Sequence, residues 1–246
     1  IRDASEAFLA EYSCSNLIRM AMATEQGYED EIWHRICDEM YWQAIHIPEE
    51  YGGLGLGYVE LVVMLEQMGR YLLCSPFFST VCLGANALLV AGTFEQKQHY
   101  LSQICKSGLT STIAYTSCNG LWGANAVQAI VKNQENDFLL NGTYRYVPNG
   151  HTAELLIVAA RNEGTTGEEG ISLFAVPANT PGVQTTWLPT MDETRKQAEV
   201  VLDEIIVSKD HLMGEQGKAW SQLAKIIQLA TIATAAEQMG GSQQIL

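Results

Sequence analysis

The sequence predicts an α+β multidomain protein: an N-terminal helical bundle, an antiparallel β domain and the beginning of a C-terminal helical bundle. Apolar residues recur at helical spacing up to residue 108, alternate from residue 109 to 214, and return to helical spacing after residue 217. The chain has 246 residues, 47% of them hydrophobic, which is enough for more than one core. We therefore place the domains at residues 1–108, 109–214 and 215–246.

The first domain is predicted to consist of packed helices. Residues 58–72 are apolar nearly all round, which is typical of a helix at the centre of a bundle. Two more helices are predicted over residues 77–91 and 94–104. In the second of these we expect Phe94 to face inward with the other large apolar side chains, while Glu95 faces water.

The second domain is predicted to be a sheet. Short alternating segments are separated by turn signals such as Asn149-Gly150, and no helical segment lies between them. The predicted strands are residues 110–115, 126–132, 138–147, 155–160, 171–176, 183–188 and 198–207. Close spacing without crossover helices predicts antiparallel pairing.

The third domain is predicted to be helical, from Trp220 to Ala235. One helix cannot bury an apolar face alone, so this segment is expected to open a larger bundle. A chain that starts at Ile1 and stops within a domain favours a fragment of a longer enzyme over a natural short form.

Charge and composition exclude several classes of function. The net charge of −14 argues against a nucleic-acid surface, which needs clustered Lys and Arg. The longest apolar run, residues 81–91, is too short for a bilayer, and no signal segment opens the chain, so we predict a cytoplasmic protein with no membrane contact. The six cysteines and five histidines lack metal-ligand spacing, and no metal site is predicted.

A glycine-rich stretch, IPEEYGGLGLG at residues 47–57, raises the possibility of a phosphate-binding loop. Its spacing differs from G-x-G-x-x-G, helices precede it, and Glu49 and Glu50 would repel a phosphate. We favour a structural role, in which Pro48 ends one helix and Gly57 starts the next.

The same stretch opens a series of segments that resembles the acyl-CoA dehydrogenase family. The family's order of a helical domain, a β domain and a second helical domain matches the three predicted domains. The matching segments are IPEEYGGLGLGYVELVVMLEQMGR (47–70), FEQKQHYLSQICKSG (94–108), LNGTYRYVPNGHTAELLIVAAR (140–161), ISLFAVPANTPGV (171–183) and LPTMDETRKQAEVVLDEIIVSKDHLMG (188–214).

This resemblance implies an oxidoreductase of fatty acid metabolism. Family members are flavoproteins that bind FAD and oxidise an acyl-CoA thioester to the trans-2-enoyl-CoA, passing electrons to an electron-transfer flavoprotein. Homodimers or homotetramers are the oligomers that it suggests. Two alternatives stay open: a non-catalytic partner subunit of a heteromeric acyl-CoA dehydrogenase, and a related acyl-CoA oxidase or flavin monooxygenase, because a fold alone does not fix chemistry.

Two segments of the β domain hold the flavin in this family. The first corresponds to residues 113–117, from which we assign Ile113, Tyr115 and Thr116 to cofactor binding, with the Thr116 hydroxyl and neighbouring backbone facing the ring. Ser117 stands where the family has Glu. Downstream, Trp122 is expected either to bind substrate or to be a core aromatic residue.

The second segment corresponds to Tyr146, Val147 and Pro148, which we also assign to cofactor binding. The family commonly has Trp-Ile-Thr here. Tyr146 can still stack on a flavin, since a flat face is what the position requires. Pro148 offers neither a hydroxyl nor an N–H, so any bond to flavin N5 must come from another group.

No catalytic base is identifiable. Some family members carry a Glu ten residues before a Gly that matches Gly240, but that position is Ala230 here, and the next position, often Arg, is Thr231. Other members place the Glu later than Leu246. Glu237 lies on the same helix, where we expect a solvated or capping role.

Overall fold

The computed structural model describes residues 1–246 and has the three predicted parts, so the predicted fold class is confirmed. The helices are α1 (Arg2–Tyr12), α2 (Ser15–Met22), α3 (Asp30–Asp38), α4 (Tyr58–Arg70), α5 (Asn86–Ala91), α6 (Phe94–Gln96), α7 (Ser102–Ser107) and α8 (Trp220–Ile245). Two π-helical segments, Phe78–Ala85 and Lys97–Leu101, join them into the longer helices that the sequence predicts. No helix is long and apolar enough to cross a membrane.

The β domain is one sheet of eight strands. They are β1 (Ser111–Ala114), β2 (Ile130–Gln134), β3 (Asp137–Pro148), β4 (Leu155–Asn162), β5 (Ile171–Pro177), β6 (Val183–Leu188), β7 (Gln197–Ser208) and β8 (Leu212–Met213). Their order is β6-β7-β3-β2-β4-β5-β8, with β1 beside β4. Two helical turns lie between strands of this sheet. They are Ala124–Ala126, before β2, and Lys209–His211, before β8.

The pairing is antiparallel except at β4, where the prediction was incomplete. β1 and β2 both run parallel to β4, in the registers Ser111↔Leu155 and Ile130↔Arg161. A period of two in the sequence gives the face of each residue but not the direction of its neighbour. The chain runs in the same direction through β1 and β2, and so both strands are parallel to β4.

Strand β4 separates two hydrophobic cores. Leu155, Ile157 and Ala159 belong to the core shared with the helices, whereas Leu156 and Val158 belong to the core inside the β domain. A strand buried on both faces needs a continuous apolar run, which explains why this segment does not alternate. The β domain and the N-terminal helices are thus packed on each other through β4.

Helices α4 and α8 cross at unusually short distance. A Cβ built on Gly69 would lie 2.0 Å from the Glu237 carbonyl oxygen, and one built on Gly240 would lie 1.7 Å from that of Glu66. Only glycine permits this approach, because any side chain would overlap the facing backbone. The crossing fixes α8 against the N-terminal domain.

The predicted orientation of Phe94 is wrong, whereas the structural role predicted for the glycine-rich stretch is supported. Phe94 is 64% exposed rather than inward, because it is the first residue after the helix-capping Thr93 and points away from the bundle. In the glycine-rich stretch, Gly57 immediately precedes α4, and a Cβ on Gly53 would lie 1.9 Å from the Ile47 carbonyl oxygen. These contacts support the structural role of the glycines.

Candidate functional site

A cleft of about 610 Å³ lies between the β domain and α8. Its volume is in the range of small-molecule and cofactor sites. The lining residues are Phe78, Leu83, Ile113, Tyr115, Thr116, Trp122, Tyr146, Pro148, Gln197, Ile226, Ile227, Ala230, Thr231, Thr234, Ala235 and Gln238. Six of the seven side chains assigned from the sequence are therefore brought together.

The end of β1 is fixed against β3 by a reciprocal pair of hydrogen bonds. The Thr116 hydroxyl donates to the Arg145 carbonyl oxygen at 2.7 Å, and the Arg145 N–H donates to the Thr116 carbonyl oxygen at 3.0 Å. The hydroxyl proton of Thr116 is thus used within the chain. Toward a ligand this hydroxyl can therefore only accept a hydrogen bond that the ligand donates.

Backbone donors beside Thr116 are free. The N–H groups of Tyr115, Thr116 and Ser117 donate to no group of the chain, although Ser117 is buried. Buried backbone donors are nearly always paired in folded proteins, because an unpaired N–H costs free energy. The segment therefore offers a row of donors to a ligand with carbonyl oxygens or ring nitrogens.

Tyr146 reaches the cleft because of a β-bulge. Its φ of 59° lies in the left-handed region, and the register of β3 with β7 shifts between Tyr144 and Val147. Regular alternation would put Tyr144 and Tyr146 on one face. Instead Tyr144 is buried, its hydroxyl donating to the Ala159 carbonyl oxygen at 3.0 Å, while Tyr146 is 59% exposed in the cleft wall.

The same bulge turns the Val147 side chain away from the cleft. This side chain is 1% exposed and belongs to the core of the β domain, so Val147 can meet a ligand only through its backbone, and its assignment to cofactor binding stays a prediction. Pro148 follows on the cleft side, opposite Gln197 in register.

Trp122 lies on the open side of the cleft. It is 81% exposed, so the core-aromatic interpretation is wrong. Its ring lines the cleft and does not pack in either hydrophobic core. The ring stays assigned to substrate binding as a prediction.

The opposite wall is one face of α8. Its hydroxyls are used within the helix, Thr231 donating to the Ile227 carbonyl oxygen at 2.8 Å and Thr234 to that of Ala230 at 2.9 Å. Ala230, which the resemblance matches to a base position of the family, lines the cleft. None of the residues that line the cleft is Asp, Glu or His, so this wall carries no carboxylate that could accept a proton.

Glu237 is not solvated and does not cap a helix. Arg195 Nη2 donates to both of its carboxylate oxygens, at 2.7 and 2.8 Å, and the Glu237 side chain is only 15% exposed. The expectation for Glu237 is therefore corrected: an arginine from the β domain neutralises it.

Several residues that line the cleft were not predicted from the sequence. Phe78 and Leu83 come from the first π-helical segment, and Gln197 from the start of β7. One signal was available for α8, because Ile226, Ala230 and their neighbours recur at three- and four-residue spacing and so form one helical face. Nothing in the sequence joins that face to the β segments.

The order of domains and the cleft between sheet and long helix define a class, the acyl-CoA dehydrogenase fold. The family models for the N-terminal and middle domains of acyl-CoA dehydrogenases match residues 1–108 and 113–205. The chain belongs to the acyl-CoA dehydrogenase family.

Individual relatives agree with this assignment. The chain is 31% identical over 205 residues to an acryloyl-CoA reductase (NADH) of Anaerotignum propionicum, a match that covers 80% of the chain and 51% of the relative. Butyryl-CoA dehydrogenase from Megasphaera elsdenii has the same fold, with 21% identity, a TM-score of 0.85, and coverage of 97% of the chain and 65% of the neighbour. The prolyl acyl carrier protein oxidase AnaB gives 23% identity and a TM-score of 0.87, covering 99% and 65%. The chain spans about half the length of the first of these relatives.

Proposed function

We propose that the protein is an FAD-dependent acyl-CoA dehydrogenase that oxidises an acyl-CoA thioester to the trans-2-enoyl-CoA. The observation that carries the proposal is the meeting of two separate β segments, ending at Thr116 and Pro148, on one wall of a single cleft. Both segments match the flavin-holding segments of the family.

The residues of this wall fit FAD. Its isoalloxazine is flat and has carbonyl oxygens and ring nitrogens that accept hydrogen bonds, while Tyr146 offers a flat ring and the backbone from Tyr115 to Ser117 offers unpaired N–H donors. When bound, FAD supplies the hydride-accepting chemistry. The α8 residues that line the cleft would exclude water from a ring bound against this wall.

The chain's own contribution is to bind and orient. The bulge at Tyr146 aims an aromatic ring into the cleft, and the reciprocal bonds between Thr116 and Arg145 hold the donor row in place. Because Pro148 cannot donate, the unpaired backbone N–H groups near Thr116 would be the donors to the ring. We further propose an electron-transfer flavoprotein as electron acceptor and a homodimer or homotetramer as the assembly.

A second candidate, a non-catalytic partner subunit of a heteromeric acyl-CoA dehydrogenase, is favoured by Ala230. A cleft that retains the flavin wall and lacks a carboxylate on the helical wall is what such a subunit would need to bind ligand without turnover. An acyl-CoA oxidase differs from both in passing electrons to oxygen.

The test is to load the full-length protein with FAD and add acyl-CoA thioesters of increasing length without air. Loss of the yellow flavin colour with formation of the enoyl product supports the dehydrogenase. Saturable FAD binding with no loss of colour for any thioester supports the partner subunit. Rapid peroxide release on admitting air supports the oxidase, and absence of FAD binding contradicts all three.

A further inference from the structure

An ion pair beside the cleft joins all three domains. Arg195, in the connection between β6 and β7, pairs with Glu237 of α8 through one nitrogen at 2.7 and 2.8 Å. Its guanidinium carbon also lies 4.1 Å from the ring centroid of Phe78, in the N-terminal domain. We call this set, Arg195, Glu237 and Phe78, the Arg195 latch.

The latch is more sheltered than the other ion pairs of the chain. Its side chains are 28% and 15% exposed, whereas the Arg35–Glu31 pair is 31% and 77% exposed. Screening by water weakens exposed pairs, and stacking on an aromatic face adds to the attraction of a partly buried guanidinium. The latch therefore holds its geometry better than a surface pair.

Each member of the latch either lines the cleft or lies within two residues of a residue that lines it. Phe78 lines it, Gln238 follows Glu237 and lines it, and Gln197 lies two residues after Arg195 and also lines it. The backbone beside Arg195 is tied to the flavin wall as well, because the Asn149 N–H donates to the Lys196 carbonyl oxygen at 2.9 Å.

Glu237 is a fixed anchor. Its turn of α8 is pressed against α4, where the position of a Cβ on Gly69 is 2.0 Å from the Glu237 carbonyl oxygen. α8 cannot move toward α4 at this point. The pair with Arg195 limits movement of α8 away from the β domain.

Lys196 provides the contrast. It follows Arg195 but points the other way, and its Nζ donates to the Met22 carbonyl oxygen at 2.7 Å. It is 3% exposed and does not line the cleft. Two adjacent cations thus hold the β domain to the helical domains on opposite faces, and only Arg195 does so beside the site.

We propose that Arg195 is a positioning residue for the cofactor cleft: the latch sets the spacing between the wall that carries Tyr146 and Pro148 and the wall formed by α8. The cleft is then preorganised for a flat ring without any contact between Arg195 and the ligand. This inference rests on the proposed function in one respect, since the ring is taken to be that of FAD.

The first test is FAD titration of the full-length protein. Arg195→Gln and Glu237→Gln are each expected to raise the dissociation constant of FAD about tenfold, and the double variant no further, because both remove the same interaction. Arg195→Lys, which keeps the charge, should recover part of the affinity. The matched control is Arg2→Gln, which breaks the Arg2–Glu66 pair between α1 and α4 and should change the constant less than about twofold.

The second measurement needs no cofactor. Amide hydrogen exchange of α8 from residue 230 to 240 is expected to be faster in the Arg195→Gln protein and unchanged in the Arg2→Gln protein. Faster exchange in the Arg195→Gln protein supports the latch even if the parent protein binds no FAD. Absence of FAD binding by the parent would refute the proposed function and leave the latch untouched. Unchanged exchange overturns the inference, and so does unchanged FAD affinity where the parent binds FAD. If Arg195→Gln does not fold, Glu237→Gln decides both measurements.

Discussion

The two walls of the cleft differ in chemistry and in backbone. The β wall has an aromatic ring, unpaired N–H donors and a residue in a left-handed conformation, Tyr146. The α8 wall is a regular helix with small and apolar residues, and its hydroxyls are already bonded to its own carbonyl oxygens. A polar, locally strained wall can bind and orient a flat cofactor, whereas the helical wall can enclose it but has no group to take a proton.

The largest effect should come from placing a proton-accepting side chain on the helical wall. Ala230→Glu places a carboxylate in the cleft, and we expect acyl-CoA to bleach the bound flavin at least about 100-fold faster than in the Ala230→Gln variant, because a positioned base contributes at least that factor. Stopped-flow absorbance without air measures both rates. Equal rates in the two variants would show that this wall does not face the reacting carbon.

The next largest effect should come from lowering the pH, which should destabilise the packing of the α8 wall. The His46 Nε2–H donates to Asn86 Oδ1 at 3.0 Å, Asn86 contacts the Tyr58 hydroxyl, and that hydroxyl donates to the Leu229 carbonyl oxygen of α8 at 2.7 Å. Burial lowers the pKa of His46 from 6.5 to about 4, and its Nδ1 has no partner. The folded protein therefore keeps this imidazole neutral.

The sign of the pH effect follows from that shift. The unfolded chain takes up the His46 proton near pH 6.5 and the folded chain only near pH 4, so stability is full above the first value and falls between the two by up to about 3 kcal/mol. Urea denaturation at a series of pH values measures it. His46→Gln should flatten this part of the profile, and an unchanged profile would contradict the assignment.

A smaller loss is expected at the crossing of α4 with α8. Gly240→Ala puts a methyl group 1.7 Å from the Glu66 carbonyl oxygen, which should lower the free energy of unfolding by about 2 kcal/mol through overpacking. Gly241→Ala is the control, because its Cβ would lie 3.6 Å from the nearest atom, the Gly69 carbonyl oxygen. Thermal denaturation separates the two. Equal losses would mean that the crossing does not hold the wall.

The smallest change concerns the ring of Tyr146. Tyr146→Ala should weaken FAD binding by about 1 kcal/mol, roughly fivefold, through lost stacking. Tyr146→Phe should bind like the parent. Tyr146→Gly should bind as weakly as the alanine variant but unfold at higher urea, since glycine relieves the positive φ of 59°. Identical stability of the glycine and alanine variants would argue against strain at the bulge.

Much of this contrast could be predicted from the sequence, but not all of it. Apolar periodicity predicts the domains and most strands, and family segments predict Thr116 and Tyr146. The bulge that turns Tyr146 toward the cleft and Val147 into the core breaks the alternation on which the prediction depends. Contacts such as Arg195 with Glu237, 42 residues apart, arise only when the domains pack, and no local pattern encodes them.

The most direct test is an experimental structure of the full-length protein with FAD. We expect the isoalloxazine to lie against Tyr146, with its ring edge accepting hydrogen bonds from the backbone N–H groups between Tyr115 and Ser117, and with the Ala230 face of α8 across the ring. A flavin bound elsewhere, or a cleft in which those N–H groups face another part of the chain, would contradict it.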